Sequence, residues 1–325
     1  MKTPLPLFFS YSSYEQFASV ISPNLSERYI SEIKRLSDLN LPPVVSLSVL
    51  AAAIGISSNF LASIIKNKEE HYRVFQISKG KGKKKRLIEA PNVSLKIIQS
   101  WLSYHLSRSS CLNLSESAFG FIPGVNGIYE AAKKHCESQW ILSIDLQDFF
   151  HYINYDKIVI SLQTIGYNEQ QSNLIANIAT LSNRLPQGSP LSPVISNLAF
   201  KKTDEHIEKL LIDRGITYTR YADDLVFSGK SYLDIKRLIS VISAIIIEDG
   251  WVIAKDKVRF SFSPNRLKVH GFLVHEEKPR LTKGYRNKIR AYKHLYEKGI
   301  IIDHDLPKIK GHINYADYID SLNSN

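Results

Sequence analysis

Apolar positions recur at three-to-four spacing in two stretches near the start of the chain, "SERYISEIKRLSDL" and "SLSVLAAAIGISSNFLASIIKN", and predict helices there. A helical region is therefore expected over residues 1–70. The second stretch has the outline of a helix-turn-helix, with Gly55 at the turn and a serine before the second helix. Two short helices packed on a larger core leave the same pattern, and the second offers few side chains suited to base edges. Period-two alternation takes over in "YRVFQISKGKGKKKRLIEAPN", where two apolar runs flank a loop of Gly and Lys, the signature of a hairpin. Helical spacing returns over 94–139, broken by "FGFIPGVNGI", which is too rich in Gly and Pro for a helix interior.

An apolar strand, "WILSI", then runs into Asp145. One helix is expected around 155–180, after which "LPQGSPLSP" opens a long amphipathic helix that stops near Gly215. The stretch "ITYTRYADDLVFSG" reads as a second hairpin. A helix follows in "SYLDIKRLISVISAIIIEDG", with Leu238, Ile242 and Ile245 on its apolar face and Gly250 as its stop. Two short strands, "VRFSF" and "KVHGFLV", and a basic helical tail from about residue 280 complete the pattern. Strand, helix, hairpin and helix in this order imply an α+β fold, a sheet covered by helices on one face.

Composition narrows the partners. With 325 residues, 44% hydrophobic and 22% charged, the chain can bury a core and divide into two or three lobes. Its 42 Lys and Arg against 31 Asp and Glu, a formal charge of +11, favour a polyanionic partner such as nucleic acid, although many basic proteins bind none. Polar residues interrupt the opening "MKTPLPLFFSYSSYEQF" too early for a signal peptide, and no run of about 18 apolar residues predicts a membrane span. Cys111 and Cys136 fit neither a disulfide framework nor a zinc site, so a cytoplasmic setting without a membrane partner is expected.

Against the positive surplus, two aspartates, Asp223 and Asp224, stand side by side in an apolar, strand-like run. A tight turn would explain them, and so would a metal site. Phosphoryl transfer uses divalent cations about 4 Å apart, and magnesium prefers oxygen ligands. Asp145 at the end of its strand and Asp223 at a hairpin turn converge if the two strands are neighbours. Adjacent residues of a regular strand face opposite ways, so Asp224 joins them only if the backbone turns there. Lys84 and Arg86, two apart on a strand, project from one face and suit phosphate, though a solvated loop would carry the same residues.

Taken with "SIDLQDFF" before it, "LPQGSPLSP" between and "KVHGFLV" after, "YADD" makes the chain resemble reverse transcriptases, and among them the bacterial retron type, over about residues 70–275. The resemblance implies an α+β right-hand polymerase. Fingers would span 71–139, a ferredoxin-like palm 140–275 with finger-palm elements around 155–200, and a basic helical thumb 276–325, behind the helical region 1–70. It implies Asp145, Asp223 and Asp224 as catalytic residues holding two Mg2+ ions, with Mn2+ as a substitute and the Leu146 carbonyl as a further ligand. Phe150 would collide with a ribose 2′-hydroxyl and favour deoxynucleotides. Gln187 would line the nucleotide pocket, and Gly188 would let backbone approach the substrate. Lys84 and Arg86 would grip the triphosphate. Lys257 would stand near the leaving pyrophosphate as a proton donor, with Lys255 as a competitor because "AKDKV" departs from the usual "N-x-x-K-T".

Two motifs typical of retron enzymes are altered. "N-A-x-x-H" is here "AAKKH", keeping Ala132 and His135 but with Ala131 for Asn, and "V-T-G" is "VHG", with His270 for Thr. Plain hydrogen-bonded roles suit both histidines equally. In the tail, Lys283, Tyr285, Arg286, Lys288, Arg290 and Tyr292 would form a thumb face for RNA, with a solvated helix face as the alternative. The resemblance implies RNA-directed DNA polymerisation from dNTPs on part of a cognate structured noncoding RNA that serves as template and primer. Synthesis would start at a guanosine 2′-OH, pass through an RNA–DNA hybrid and give branched multicopy single-stranded DNA, in antiphage defence with an effector protein. Alternatives are another bacterial reverse transcriptase (group II intron-like, diversity-generating or abortive-infection type) or a polymerase-dead RNA-binding scaffold in a defence complex.

Overall fold

Three short helices open the described part of the chain: α1 (Glu27–Asp38), α2 (Leu47–Ile54) and α3 (Ser58–Lys66). Ser46 and Ser57 cap the second and third by accepting from Val49 N and Phe60 N, and Gly55 ends α2 in the left-handed conformation. Val49, Leu50, Leu61 and Ile64 are buried in the main core, so the helix-turn-helix outline reflects packing. The computed structural model describes residues 26–78, 80, 85–231 and 234–324, together with Gln16, Phe17 and Ile21.

The expected hairpin follows as β1 (Tyr72–Ile77) and β2 (Arg86–Pro91), then α4 (Val93–Leu106) and α5 (Gly127–Lys134). Strand β3 (Trp140–Asp145) leads to α6 (Tyr155–Thr164) and α7 (Glu169–Ala179). These are two helices where one was expected. The chain breaks at Gly166, whose φ is +115°, and an Asn168–Gln171 capping box starts a new helix. Helix α8 (Ser192–Leu211) precedes the hairpin of β4 (Ile216–Tyr221) and β5 (Asp224–Gly229), and α9 (Ile235–Glu248) follows. Helix α9 buries Leu238, Ile242 and Ile246, a row at spacing four, and leaves Ile245 half-buried on the flank. The last elements are β6 (Arg259–Phe262), β7 (Lys268–Val269), β8 (Phe272–Leu273), β9 (Arg280–Leu281), α10 (Lys283–Glu297) and α11 (Leu306–Ser324).

The central sheet is antiparallel, in the order β4-β5-β3-β6. Leu142, Ile144, Leu225 and Phe227 belong to the main core shared with helices α6 to α9. Ile141 and Val226 belong instead to a second core with Tyr129, Val269, Phe272, Ile289 and Ile319, drawn from α5, the small sheet β7-β8-β9 and helices α10 and α11. That second core covers one end of the sheet's other face and leaves the end at Asp145 open. No single helix among the described residues is long and apolar enough to cross a membrane.

Candidate active site

Register places the carboxylates. Strands β3 and β5 pair from Trp140 opposite Gly229 to Asp145 opposite Asp224, and directly opposed residues project from the same face. Asp224, which strand alternation sets apart from Asp223, is thus the residue facing Asp145. The turn between β4 and β5 is Ala222–Asp223, with Ala222 left-handed at φ +57°. Leu146 N donates to Asp223 O at 2.9 Å and ties that turn to the end of β3. Burial, with the charge of Asp145 beside it, raises the Asp223 carboxyl above its ordinary proton affinity.

Each of the other two carboxylates has a basic neighbour. Ala254 N donates to Asp145 O and Gln147 N to Val252 O, so the segment after α9 runs beside the end of β3. This brings Lys257 Nζ to 2.6 Å from Asp145 Oδ1, and the bond to Asp145 holds the ammonium above its usual range. Lys255 is exposed in the same turn. His270 Nδ1 lies 3.3 Å from Asp224 Oδ2. A cleft of about 630 Å³ runs from Asp145 and Asp224 past Ser143, Arg259, Arg266 and Lys268.

The donor set fits a hard divalent cation. Asp223, whose proton affinity burial and the neighbouring Asp145 charge raise, is a group such an ion relieves, and all three side chains are oxygen donors. Among the described residues no three His, Cys, Asp or Glu side chains are gathered to hold an ion as they stand. In this conformation an ammonium takes up Asp145.

The other expected residues lie on the turn after β3, on β2 and on the loop before α8. Phe150 sits in the tight turn Phe149–Tyr152 after β3, half-buried, its ring 5.6 Å from Phe149 and 6.3 Å from Phe121. Phe121 also stands 6.3 Å from Tyr221. Arg86 is exposed at the start of β2, and Lys84 lies outside the described residues. Gln187 O accepts from Glu89 N at 2.9 Å, which joins its loop to β2. Gly188 makes a close approach within the protein. A Cβ there would lie 2.7 Å from Glu89 O, with φ at +144°, so the close approach it permits is to β2. Arg184 forks onto both oxygens of buried Glu89 at 2.8 Å and fastens the same contact.

Beside α10 and α11, a second cleft of about 620 Å³ is lined by His275, Arg280, Lys283, Arg286, Asn287 and Arg290, with Glu276 and Asp320. Tyr285 and Tyr292 are half-buried against the second core, Tyr285 hydroxyl bonding His312 at 2.9 Å and Lys288 Nζ lying 5.2 Å from the Tyr292 ring. Both rings pack inward and leave the cations to face the cleft.

Sequence reasoning passed over three features: Phe121, the Glu89–Arg184 fork and a buried pair of Arg220 with Asp204. Arg220 carried a signal, a charge inside an apolar strand two residues before Ala222. Its partner on α8 carried none, because spacing does not give the register of a helix on a sheet.

Asp145 and Asp224 opposed at the ends of the two central strands, with Asp223 in the adjoining turn and Lys257, Arg259, Arg266 and Lys268 along the cleft, define the site of a nucleotide-polymerising enzyme. Residues 77–279 match the family described as reverse transcriptase (RNA-dependent DNA polymerase). The chain is 31% identical over 290 residues to the Retron Ec86 reverse transcriptase of Escherichia coli, covering 88% of each protein. It is 30% identical over 276 residues to the Retron Mx65 reverse transcriptase of Myxococcus xanthus, covering 76% of this chain and 64% of that one. Among solved structures, apo telomerase of Candida tropicalis truncated from its C-terminal domain aligns over 70% of this chain and 61% of its own, at 12% identity and a TM-score of 0.49. The chain belongs to the bacterial retron-type reverse transcriptases and is an RNA-directed DNA polymerase of the α+β right-hand fold.

Proposed function

We propose that Asp145, Asp223 and Asp224, with the Leu146 carbonyl, hold two Mg2+ ions for DNA synthesis on RNA. The single observation behind this reading is the register that sets Asp224 opposite Asp145, with the turn of Asp223 bonded to Leu146. When bound, such ions stabilise the attacking oxygen and the charge on the reacting phosphate. Arg86, with Lys84, grips the nucleotide triphosphate, and Phe150 bars the 2′-hydroxyl of a ribonucleotide. Gln187 lines the pocket with its backbone fixed on β2. Lys257, held on Asp145 here, would be the proton donor to the leaving pyrophosphate once Asp145 served as a ligand.

In this reading the palm ends near 275, and pairing of Phe272 with Leu281 links it to the thumb. The cations at the thumb cleft, Lys283, Arg286 and Arg290, hold a cognate structured noncoding RNA. Kinship with retron enzymes supports priming from a guanosine 2′-OH, a branched RNA–DNA product and a cytoplasmic role in antiphage defence with an effector protein. Asp223→Asn tests the centre: it should abolish Mg2+-dependent extension of a primer on RNA while leaving RNA affinity intact, and full activity would refute the metal assignment. Nucleic acid copurifying with the protein tests the priming. A branched RNA–DNA species supports it, and an unbranched cDNA counts against it. A polymerase-dead scaffold would show no extension even as the unaltered chain.

A further inference from the structure

Beneath the aspartate turn lies a charged network with no access to substrate. Arg220, on β4, is completely buried, and so is Asp204 on α8. Arg220 Nε and Nη2 bond both Asp204 oxygens, the shortest at 2.6 Å, and Tyr218 hydroxyl donates to Asp204 Oδ1 at 2.7 Å. The remaining guanidinium nitrogen, Nη1, donates to Asn197 Oδ1 at 3.0 Å and to Ala222 O at 3.3 Å. Ala222 is the left-handed residue immediately before Asp223.

The same turn is held from its other side. Arg220 N donates to Ser117 O and Phe119 N to Arg220 O, so the segment around Ala118 forms a bridge alongside β4. Asn197 Nδ2 donates to Gly120 O at 2.8 Å, and a Cβ on Gly120 would lie 2.6 Å from Ala222 N. Ala222 is therefore confined between the Gly120 backbone and a guanidinium that Asp204 and Asn197 orient. A buried ion pair is weak evidence for stability, and an apolar pair often serves as well. Only an arginine, with its planar fork, can meet a carboxylate on one edge and a backbone carbonyl on the other.

We propose that Arg220, oriented by Asp204 and Asn197, is a positioning residue for the reaction: it fixes the carbonyl of Ala222 and thereby the turn that presents Asp223 and Asp224 toward Asp145. This rests on the reading of those aspartates as the metal-binding set. Arg220 touches none of the reacting groups, so its loss acts through the geometry of the turn. The consequence is a raised Mg2+ requirement with dNTP and RNA binding nearly unchanged.

The test is single-turnover extension of a DNA primer on an RNA template by the full chain, read against Mg2+ concentration and beside thermal unfolding. Arg220→Lys keeps the charge beside Asp204 and loses the fork. It should lower the rate by about tenfold or more, the range of a charged hydrogen bond, and raise the Mg2+ needed for half-maximal rate. Asn197→Ala leaves the ion pair whole and should shift the Mg2+ requirement in the same direction by less. Thr203→Val, on the same helix as Asn197 and Asp204, removes the acceptor of the Trp251 Nε1–H bond, is the stability control and should leave that requirement unchanged. The proposal falls if Arg220→Lys and Asn197→Ala lose rate only in proportion to folded protein, or keep the unaltered Mg2+ dependence. Asp223→Asn separates the two ideas. If it is inactive while Arg220→Lys behaves normally, only the positioning role is wrong, and if it is active, the metal assignment itself is wrong.

Discussion

Lys257 Nζ and Asp145 Oδ1 are 2.6 Å apart, so an ammonium stands against the carboxylate proposed to bind the cations. Both side chains retain solvent contact, at 46% and 25% exposure, and pairs of this kind contribute about 0.2–1 kcal/mol. The pair is therefore displaceable.

Replacing Lys257 with Met should remove the competitor and leave Asp145 free. Mn2+ binding to the protein without nucleic acid, followed by calorimetry, should tighten by up to about fivefold, the equivalent of the upper end of that exposed-pair energy. Extension should move the opposite way and slow by about a hundredfold, the lower range for loss of a proton donor. Unchanged or weaker Mn2+ affinity would show that the ammonium does not compete for the site.

As the proposed sugar gate, Phe150 has its ring held by Phe149 on one side and Phe121 on another, and it remains partly exposed. Phe150→Val should narrow the preference for dNTP over rNTP by about 10- to 100-fold in kcat/KM, the scale for opening a pocket by a few carbons. The stability loss should stay below the ~3–5 kcal/mol of a fully buried Phe cut to Ala. An unaltered dNTP/rNTP ratio in the folded variant would move the sugar gate elsewhere.

Much of this site was legible because its parts are local. A strand ending on Asp145 and a hairpin carrying "YADD" need only alternation and turn chemistry to be seen. Pairing was not legible. Alternation along one strand separates Asp223 from Asp224, whereas the register across two strands sets Asp224 opposite Asp145. The Arg220–Asp204 pair was hidden for the same reason, since its members meet only when α8 packs on the sheet. The close contact of Gly188 with Glu89 O was not legible either, because a glycine permits many close approaches and only the fold names the neighbour. The two-residue strand β9 carries no periodicity to detect. Tyr285 and Tyr292 interleave with cations along the sequence, yet the three-to-four spacing of α10 turns them toward the second core.

The contact at Gly188 predicts a kinetic effect from one methyl group. In Gly188→Ala the added carbon would sit 2.7 Å from Glu89 O, a backbone atom that cannot swing aside, and the φ of +144° is itself unfavourable to a side chain. Strain of about 1–3 kcal/mol should appear as a lower unfolding midpoint. Relief requires β2 to withdraw, which moves Arg86 relative to Gln187. The kcat/KM for dNTP should then fall by up to about a hundredfold, mostly through KM. Normal KM in a folded variant would mean that the distance between β2 and the Gln187 loop does not set nucleotide binding.

His135 predicts a pH dependence of stability. Its ring is fully buried between β4 and β5, with Nε2 sharing a 2.7 Å hydrogen bond with Thr219 Oγ1 and Nδ1 one of 2.7 Å with Ser228 Oγ. Burial, helped by the nearby His270, pushes its pKa down to about 3. The unfolded chain, with an ordinary histidine pKa of about 6.5, binds a proton that the folded protein refuses between those values. The contribution of His135 is therefore fully present above about pH 6.5 and is lost progressively as pH falls toward 3. Between pH 7.5 and 5.0 it should cost about 2 kcal/mol. Urea unfolding at both pH values measures this, and His135→Gln, which keeps a donor and an acceptor but cannot titrate, should lose about 2 kcal/mol less over the interval than the unaltered chain. Carboxylates titrate in both proteins and cancel in the difference. Equal losses in the two would show that this imidazole takes up its proton as easily in the folded protein as in the unfolded chain.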